Sequence, residues 1–500
     1  MSEPVSPPPA ASALTAVTAL SPRRRLLAVA VVAIAFVMDL VDTTIVNVAV
    51  PAIRQSLGAG PAAVQWLVAG YSMAFAVLLI TGGRLGDLYG YRRIFLGGVA
   101  GFTIASALCG LATGPETLVA ARLLQGLSAA LMVPQVLALT QILYPADQRV
   151  AVMALFGVLG GLSAVLGPIL GGFLIDADLF GLGWRPVFLL NLPVGVLGMA
   201  LGLPVLPAGR SPHPGRADWT GTVLLAVALS ALLLPLIQGR DSGWPAWCMA
   251  SLAATLPLLA LFAWHVRRRI RRVGSALLVP ALFRDRAFSV GLIVLVAFQV
   301  AMGGFFLVTT LSLQEGLGFT PTGAALIHVP FAVGASIGIS VLGRRLILRA
   351  GRYTVTAGCL VMAASLPALW GALGGVGGGV AEGGVVNGGL PPLLAAFLVA
   401  GIGMGLVAAA LTPLTLVQTD PRHAGAAAGV VNATQQLGSA LGVALVGLVF
   451  FRLADPRTAA AYLNAFGGAA VLTAAALLVA GLFSLRLPRH LGTGAGAFHV

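Results

Sequence analysis

The chain has 500 residues, of which 58% are apolar and only 9% charged, and its mean hydropathy is +0.99. A soluble protein carries about a quarter charged residues, so the composition excludes a soluble globular fold and points to a polytopic membrane protein. The formal charge of +14 comes from 29 basic residues, every one an Arg. Because these cluster in short segments between apolar stretches, they read as topology signals and not as a nucleic-acid surface.

In chain order, residues 1–22, rich in Pro, Ala and Ser, read as a disordered tail. Apolar stretches long enough to cross a bilayer as helices then lie near 26–50, 62–82, 93–113, 116–144, 150–175, 185–206, 218–238, 246–266, 287–311, 322–347, 353–374, 390–417, 424–451 and 463–485, which makes 14 spans and an all-α fold. The first stretch is too long for a signal-peptide core and lacks a clear small-residue cleavage site, so no cleavable signal is expected. The Gly-rich run Gly374–Gly389 reads as a flexible connector between spans 11 and 12. Residues 487–500 form a C-terminal tail. Cys109, Cys248 and Cys359 are far apart and have no metal-ligand spacing, so they read as packing residues and no metal is expected.

Arginine sets the orientation. With the N-terminus cytoplasmic, only Arg54, Arg185, Arg240, Arg452 and Arg457 fall in outer segments; the others fall in cytoplasmic ones, apart from Arg122 inside span 4. The positive-inside rule therefore places both termini in the cytoplasm of a multi-pass cell-membrane protein. An even number of spans requires the same thing.

The two halves look related. The loop between spans 2 and 3 reads Gly83-Arg84-Leu85-Gly86-Asp87-Leu88-Tyr89-Gly90-Tyr91-Arg92-Arg93, and between spans 10 and 11 a degraded echo runs from Gly343-Arg344-Arg345 to Arg349-Ala350-Gly351-Arg352, without the Asp. If spans 7 and 8 are an insertion, these loops take equivalent places in two six-helix bundles. The expected organisation is a bundle over 23–206, two inserted helices with an Arg-rich linker over 207–286, and a second bundle over 287–486. Paired repeats of this kind build transport sites at the bilayer midplane, and the linker suits an anionic inner leaflet.

The chemistry concentrates in span 1. Asp39 and Asp42 are its only charges and, three residues apart, share one helix face. An ionisable group at membrane depth marks an ion or proton pathway by default. Two carboxylates that close in a low dielectric cannot easily both ionise, and they titrate as a unit. The structural alternative is a helix–helix hydrogen bond or salt bridge. Arg122 is a candidate partner: it lies about 9 Å from the outer end of span 4, and Asp42 about 12 Å from that of span 1, at about 1.5 Å per residue. Snorkelling of Arg122 to the outer headgroups is the alternative. Gln125, one turn on, can reach either this relay or a substrate. In span 5, Gly167-Pro168-Ile169-Leu170-Gly171-Gly172 combines a helix-kinking Pro with close-packing glycines, as a hinge or as a sealed contact face. Asn432, Gln435 and Gln436 in span 13 either line a cavity or bond between helices. Gln299 in span 9 and His328 in span 10 are further polar positions.

Together these stretches resemble the major facilitator superfamily and, within it, the fourteen-span drug:proton antiporter family, over about residues 25–450. Asp42-Thr43-Thr44-Ile45-Val46-Asn47-Val48-Ala49-Val50-Pro51 is similar to the family's span-1 signature, and Gln65-Trp66 through Tyr71 to its span 2. Gly83 to Arg92 resembles the superfamily loop signature, with Asp87 and Arg92 kept but Leu88 and Tyr91 where Arg is usual. Leu118, Arg122, Gln125 and Gly126 resemble the span-4 signature. Gly167-Pro168 with Gly171-Gly172 resembles the antiporter signature of span 5, although Ser163 replaces its first Gly. Trp184-Arg185-Pro186-Val187-Phe188 through Asn191-Leu192-Pro193 is similar to the start of span 6 in the fourteen-span group, with Pro186 in place of an aromatic.

The resemblance implies two six-helix facilitator bundles plus two extra helices, export by alternating access, and no enzymatic activity. It implies that Asp42 takes the coupling proton with help from Arg122, and that Asp39 is an atypical second carboxylate. It implies conformational gating by Gly83, Asp87, Gly90 and Arg92, with Asp87 locking the halves by charge pairing, and by Gly167, Pro168, Gly171 and Gly172. Gln125, Gln299, Asn432 and Gln436 become the expected substrate-lining residues. The expected partners are protons, the lipid bilayer and a lipophilic small molecule such as an antibiotic, dye or antiseptic, handled by a monomer without a cofactor. A dedicated exporter of a secondary metabolite is the alternative. An enzyme would need a cluster of His, Cys and acidic residues, and the sequence offers none.

Overall fold

A computed structural model describes residues 21–211, 216–381, 389–420, 423–454 and 458–489. The greater part of the N-terminal tail, the C-terminal tail from residue 490, residues 382–388 of the Gly-rich run, Arg422 and Arg457 lie outside the described residues. Among these, 14 helices are long and apolar enough to cross a membrane, matching the spans read from the sequence. We label them α1 (Pro22–Leu57), α2 (Pro61–Tyr89), α3 (Tyr91–Gly110), α4 (Pro115–Leu143), α5 (Ala146–Asp176), α6 (Pro186–Val205), α7 (Trp219–Gln238), α8 (Ala246–Val273), α9 (Arg286–Gly316), α10 (Pro321–Ala350), α11 (Arg352–Ala381), α12 (Leu390–Leu416), α13 (Ala424–Leu453) and α14 (Ala459–Ser484).

Local chemistry explains where the helices start and stop. Pro61, Pro115, Pro186 and Pro321 open helices at positions where an amide proton would have no acceptor. The side chains of Ser21, Asp218, Asp285, Thr320 and Thr458 accept first-turn amides. Gly58 ends α1 in a left-handed conformation at φ 62°. Ser21 and Pro22, assigned to the tail from sequence, are the cap and first residue of α1. The helix α11 runs past Gly374 into the Gly-rich run; at the membrane edge, backbone hydrogen bonds are kept within the helix because water is scarce.

Three spans are less regular than the uninterrupted helices predicted. α6 is broken at Leu190, where Pro193 lacks the amide that would continue the ladder. The last turn of α9, Ser312–Gly316, is a π-helix. α10 consists of Pro321–Ile327, Val329–Ile337, a π-helical stretch Gly338–Gly343 and Arg344–Ala350. Pro330 interrupts its hydrogen bonding. Gly334 and Gly338 press on α12 so closely that a Cβ would lie 2.1 Å from the Leu398 carbonyl and 2.5 Å from that of Ile402.

α1–α6 pack together, as do α9–α14, and the two groups meet along α2–α13 and α5–α10. α7 and α8 pair with each other, and α7 leans on both α2 and α13, with a 2.6 Å hydrogen bond between Thr81 and Thr222. The two ends of the seam differ. At the arginine-poor end, Gln65 Nε2 of α2 donates to the carbonyls of Val443 (3.0 Å) and Ala444 (3.2 Å) in α13. Gln314 Nε2 donates to Val48 O at 3.0 Å, and the Thr322 amide donates to Asp176 at 2.9 Å. At the arginine-rich end, close packing of α5 on α10 is confined to the first two segments of α10. A cavity of about 360 Å³ opens there, lined by Gly83, Asp87 and Tyr91 from one bundle and Gly425, Gly429 and Asn432 from the other.

Candidate transport site

α1 is apolar nearly all round, and its two carboxylates face inward: Asp42 is fully buried and Asp39 is 5% exposed. A buried charge needs a partner, and α4 supplies it. Gly126 lets α4 approach α2 so closely that a Cβ there would lie 2.4 Å from the Tyr71 carbonyl. That approach brings Arg122 Nε to 3.2 Å from Leu67 O and Arg122 Nη1 to 2.5 Å from Asp42 Oδ2. The similar depths inferred from sequence are met by a direct ion pair, not by snorkelling. The other Asp42 oxygen accepts from Gln125 Nε2 at 2.7 Å and Asn191 Nδ2 at 3.0 Å. Asn191 also donates to Ser106 Oγ at 2.9 Å, and Ser106 donates to Phe188 O at 2.9 Å. Three donors, one of them cationic, satisfy both Asp42 oxygens.

Asp39 is served differently. Tyr71 Oη donates to it, and among the described residues Asp39 makes no ion pair. The Arg122 guanidinium sits 4.4 Å from the centroid of the Tyr71 ring, so Tyr71 and Arg122 couple the two carboxylates. Tyr71, Ser106 and Asn191 had no assigned role in the sequence reading. Tyr71 and Asn191 stood inside family-like stretches, but only the fold shows which way they point.

Arg122 and Tyr71 also line a cavity of about 270 Å³ between the bundles, with Thr43 and Asn47 of α1 on one side and Gln299, Phe306, Gln435 and Gln436 on the other. Of the expected lining residues, Gln299 and Gln436 are there. Gln125 is not: its amide is fully buried against Asp42, because its place one turn from Arg122 turns it toward α1. Asn432 lies at the arginine-rich mouth. His328 bonds within the second bundle, to Ala324 O at 2.8 Å and Thr309 Oγ1 at 3.2 Å.

The loop residues are arranged for an open arginine-rich end. Asp87 accepts a 2.9 Å hydrogen bond from Tyr91 Oη, and among the described residues it has no ion-pair partner in the second bundle. The charge lock expected of Asp87 is therefore not engaged here. Arg92 donates to Leu203 O within its own bundle. Gly90 turns the chain at φ 99°, a conformation that favours glycine, and Gly83 packs beside Pro134. Gly167 and Gly171 face α1: added Cβ atoms would meet Thr44 Oγ1 at 2.0 Å and Ile45 Cγ1 at 2.5 Å. Pro168 lies between these contacts, inside a continuous α5. Gly172 instead faces the other bundle, 2.7 Å from Thr322 Cα by the same measure.

Acidic residues at span ends, which no sequence pattern singles out, close the arginine-poor end. Glu315, on the π-helical turn of α9, pairs with Arg54 at the end of α1, and Tyr462 Oη donates to it at 2.7 Å. Arg54 also stacks over Phe451 at 5.8 Å. This pair is partly exposed, so its worth is modest, but it spans the two bundles. The variant Glu315→Gln is expected to raise, severalfold, the maleimide labelling of Asn47→Cys from the arginine-poor side. Unchanged labelling would mean that the pair does not hold the seam.

Two helical bundles sealed at one end, parted at the other and enclosing a charged, polar cavity between them define a membrane transporter. A family model for the Major Facilitator Superfamily matches residues 32–443. The chain is 43% identical over 437 residues to the probable actinorhodin transporter of Streptomyces coelicolor, covering 87% of this chain and 74% of that one. It is 35% identical over 422 residues to the tetracenomycin C resistance and export protein of Streptomyces glaucescens, covering 84% and 74%. Among solved structures, an auto-inhibited POT family peptide transporter aligns with a TM-score of 0.67 over 94% of this chain and 98% of that one, at 16% identity. A bacterial homologue of the lysosomal transporter Spinster, inward-facing and unoccupied, aligns at 0.63 over 93% and 97%, also at 16% identity. The chain belongs to the Major Facilitator Superfamily; it is a multi-pass transporter and not an enzyme.

Proposed function

We propose that the protein exports lipophilic small molecules, antibiotics among them, across the cell membrane in exchange for protons, with its arginine-rich end and both termini in the cytoplasm. The relatives named for antibiotic export and resistance support the cargo class. The observation that carries the mechanism is the double position of Arg122: it pairs with the buried Asp42 and lines the cavity between the bundles. In the state described, the bundles part at the arginine-rich end and Asp42 is the counter-ion of Arg122. After the bundles rock, a proton arriving from outside adds to an Asp42 oxygen and weakens its hold on the guanidinium. The positive charge is then unpaired at the cavity wall and disfavours a bound cationic drug, which leaves outward. Release of that proton to the cytoplasm restores the pair.

Asp39 adds a second carboxyl behind the cavity wall, hydrogen-bonded to the lining residue Tyr71. When Asp42 takes the proton, Asp39 is free to hold the negative charge of the pair and to attract cationic cargo. Asp39→Asn is expected to lower transport of a cationic dye about tenfold, equivalent to ~1.4 kcal/mol, and to spare a neutral one. Rates in inside-out vesicles measure this; an equal effect on the two dyes would remove Asp39 from cargo selection. A dedicated metabolite exporter is the second reading. The modest cavity, rich in amides from Asn47, Gln299, Gln435 and Gln436, favours it. Failure of every dye tested, with one purified antibiotic transported, would select that reading.

A further inference from the structure

The last turns of α8 carry Arg267, Arg268, Arg269, Arg271 and Arg272, and the fold sorts them by face. His265 and Arg269, one turn apart, face α7: His265 Nε2 lies 3.0 Å and Arg269 Nε 3.5 Å from Asp218 Oδ1, and Arg269 also donates to Ala217 O at 2.9 Å. The other Asp218 oxygen accepts the Leu277 amide at 3.1 Å, while Arg84 reaches Ala276 O at 3.4 Å. Asp218 thus ties together the start of α7, the end of α8 and the linker that follows. Arg267 and Arg271, also one turn apart, face elsewhere, into a cavity of about 780 Å³ between α8 and this anchored linker.

The walls of that cavity are of two kinds. Phe262, Val266, Leu278 and Phe283 make one part apolar, and Arg267, Arg271 and Arg284 make the other cationic. Among the described residues, no acidic residue lines it and these three Arg side chains form no ion pair. Asp285, next in sequence to Arg284, is used to cap α9. Trp264 and Arg268, stacked at 5.0 Å, stand at an adjoining surface, the arrangement of an interfacial aromatic beside a basic anchor.

We propose that this cavity is a binding site for an anionic phospholipid of the cytoplasmic leaflet, its phosphate held by Arg267, Arg271 and Arg284 and its acyl chains lying along Phe262, Val266 and Phe283. Three unpaired guanidiniums match a phosphate by charge and by their forked donors. The apolar wall, built partly by the end of the membrane-spanning α8, distinguishes a lipid from free phosphate. Because the linker continues into α9, the first helix of the second bundle, such a lipid fastens the inserted pair to that bundle without touching the transport cavity.

The test uses the full chain in detergent with phosphatidylglycerol or phosphatidylcholine, read by native mass spectrometry and by thermal unfolding. The wild type is expected to retain phosphatidylglycerol in preference to phosphatidylcholine and to melt higher with it. Arg267→Gln/Arg271→Gln is expected to lose that retention about thirtyfold, as removal of two basic residues from an anionic surface implies. Arg344→Gln/Arg345→Gln, at the same end of α10, is expected to keep it. Equal retention by the first double variant and the wild type overturns the site, as does no preference between the lipids. Inorganic phosphate protecting as well as phosphatidylglycerol makes the site an anion site and also overturns the lipid proposal. Where the double variant does not fold, Arg284→Gln alone serves, with the same outcomes.

Discussion

Asp42→Asn is expected to reduce pH-gradient-driven efflux in inside-out vesicles to background while leaving gradient-free exchange of the same dye measurable. The side chain is fully buried and gives both oxygens to the cluster, one to Arg122 at 2.5 Å and one to Gln125 and Asn191. An Asn keeps the volume but can neither ionise nor take up the coupling proton, so the switch is held in one charge state. The same change leaves Arg122 buried without an anion, which in a low-dielectric site costs about 3–5 kcal/mol. A loss of function could then reflect misfolding, and the double variant Asp42→Asn/Arg122→Gln separates the two causes. Removing both charges is expected to recover most of the lost thermal stability, because no buried charge remains unpaired, and to recover none of the gradient-driven transport. Transport that survives in Asp42→Asn would place the coupling proton elsewhere, Asp39 first, and would reduce the Asp42–Arg122 pair to a structural role.

What this chain's sequence discloses depends on the physics of each feature. Span number follows from hydropathy and helix rise alone, and a charge in such a span needs a partner at its own depth, which is enough to match Asp42 with Arg122. Rotation about a helix axis is another matter. α13 has small and apolar residues on every side, and its polar Asn432, Gln435 and Gln436 fall within about one turn of one another, so no periodicity tells which of them meets a neighbour; Gln435 in the cavity and Asn432 at the arginine-rich end cannot be told apart. Gln125 shows the same limit, since one turn of helix is compatible with both the relay and the cargo. Glu315 and Asp176 were passed over because they lie at span ends, where an acidic residue is ordinarily solvated. Their partners, Arg54 and the Thr322 amide, are far away in sequence and become neighbours only once the bundles meet. The loop around Asp87 was readable as a motif, but its engagement depends on which end of the molecule is closed, and sequence carries no conformational state.

The glycines of α5 were legible as a group, and the structure divides them in a way that predicts different failures. A methyl group at Gly172 would stand 2.7 Å from the Thr322 Cα and amide nitrogen and 2.8 Å from the Pro321 carbonyl carbon, all backbone atoms of the opposite bundle. Backbone at a capped helix start cannot move aside alone, so Gly172→Ala must part α5 from α10 where the molecule is sealed. Overpacking of this kind costs about 1–3 kcal/mol, and the cost falls only on the state in which this seam is closed. A difference of that size changes the ratio of two conformers by about 5- to 150-fold. Gly172→Ala is therefore expected to populate the opposite state, closed at the arginine-rich end, and to slow transport because the cycle can no longer reseal. Spin labels on Met153→Cys and Leu348→Cys, both exposed near that end, are expected to move closer together. Gly171→Ala strikes Ile45 of α1 inside the same bundle, so it is expected to lower the melting temperature without changing the label distance. Gly161→Ala, whose Cβ would meet nothing within 4 Å, is expected to change neither. If Gly172→Ala instead behaves like Gly171→Ala, the α5–α10 contact is ordinary packing and the seam that moves lies elsewhere.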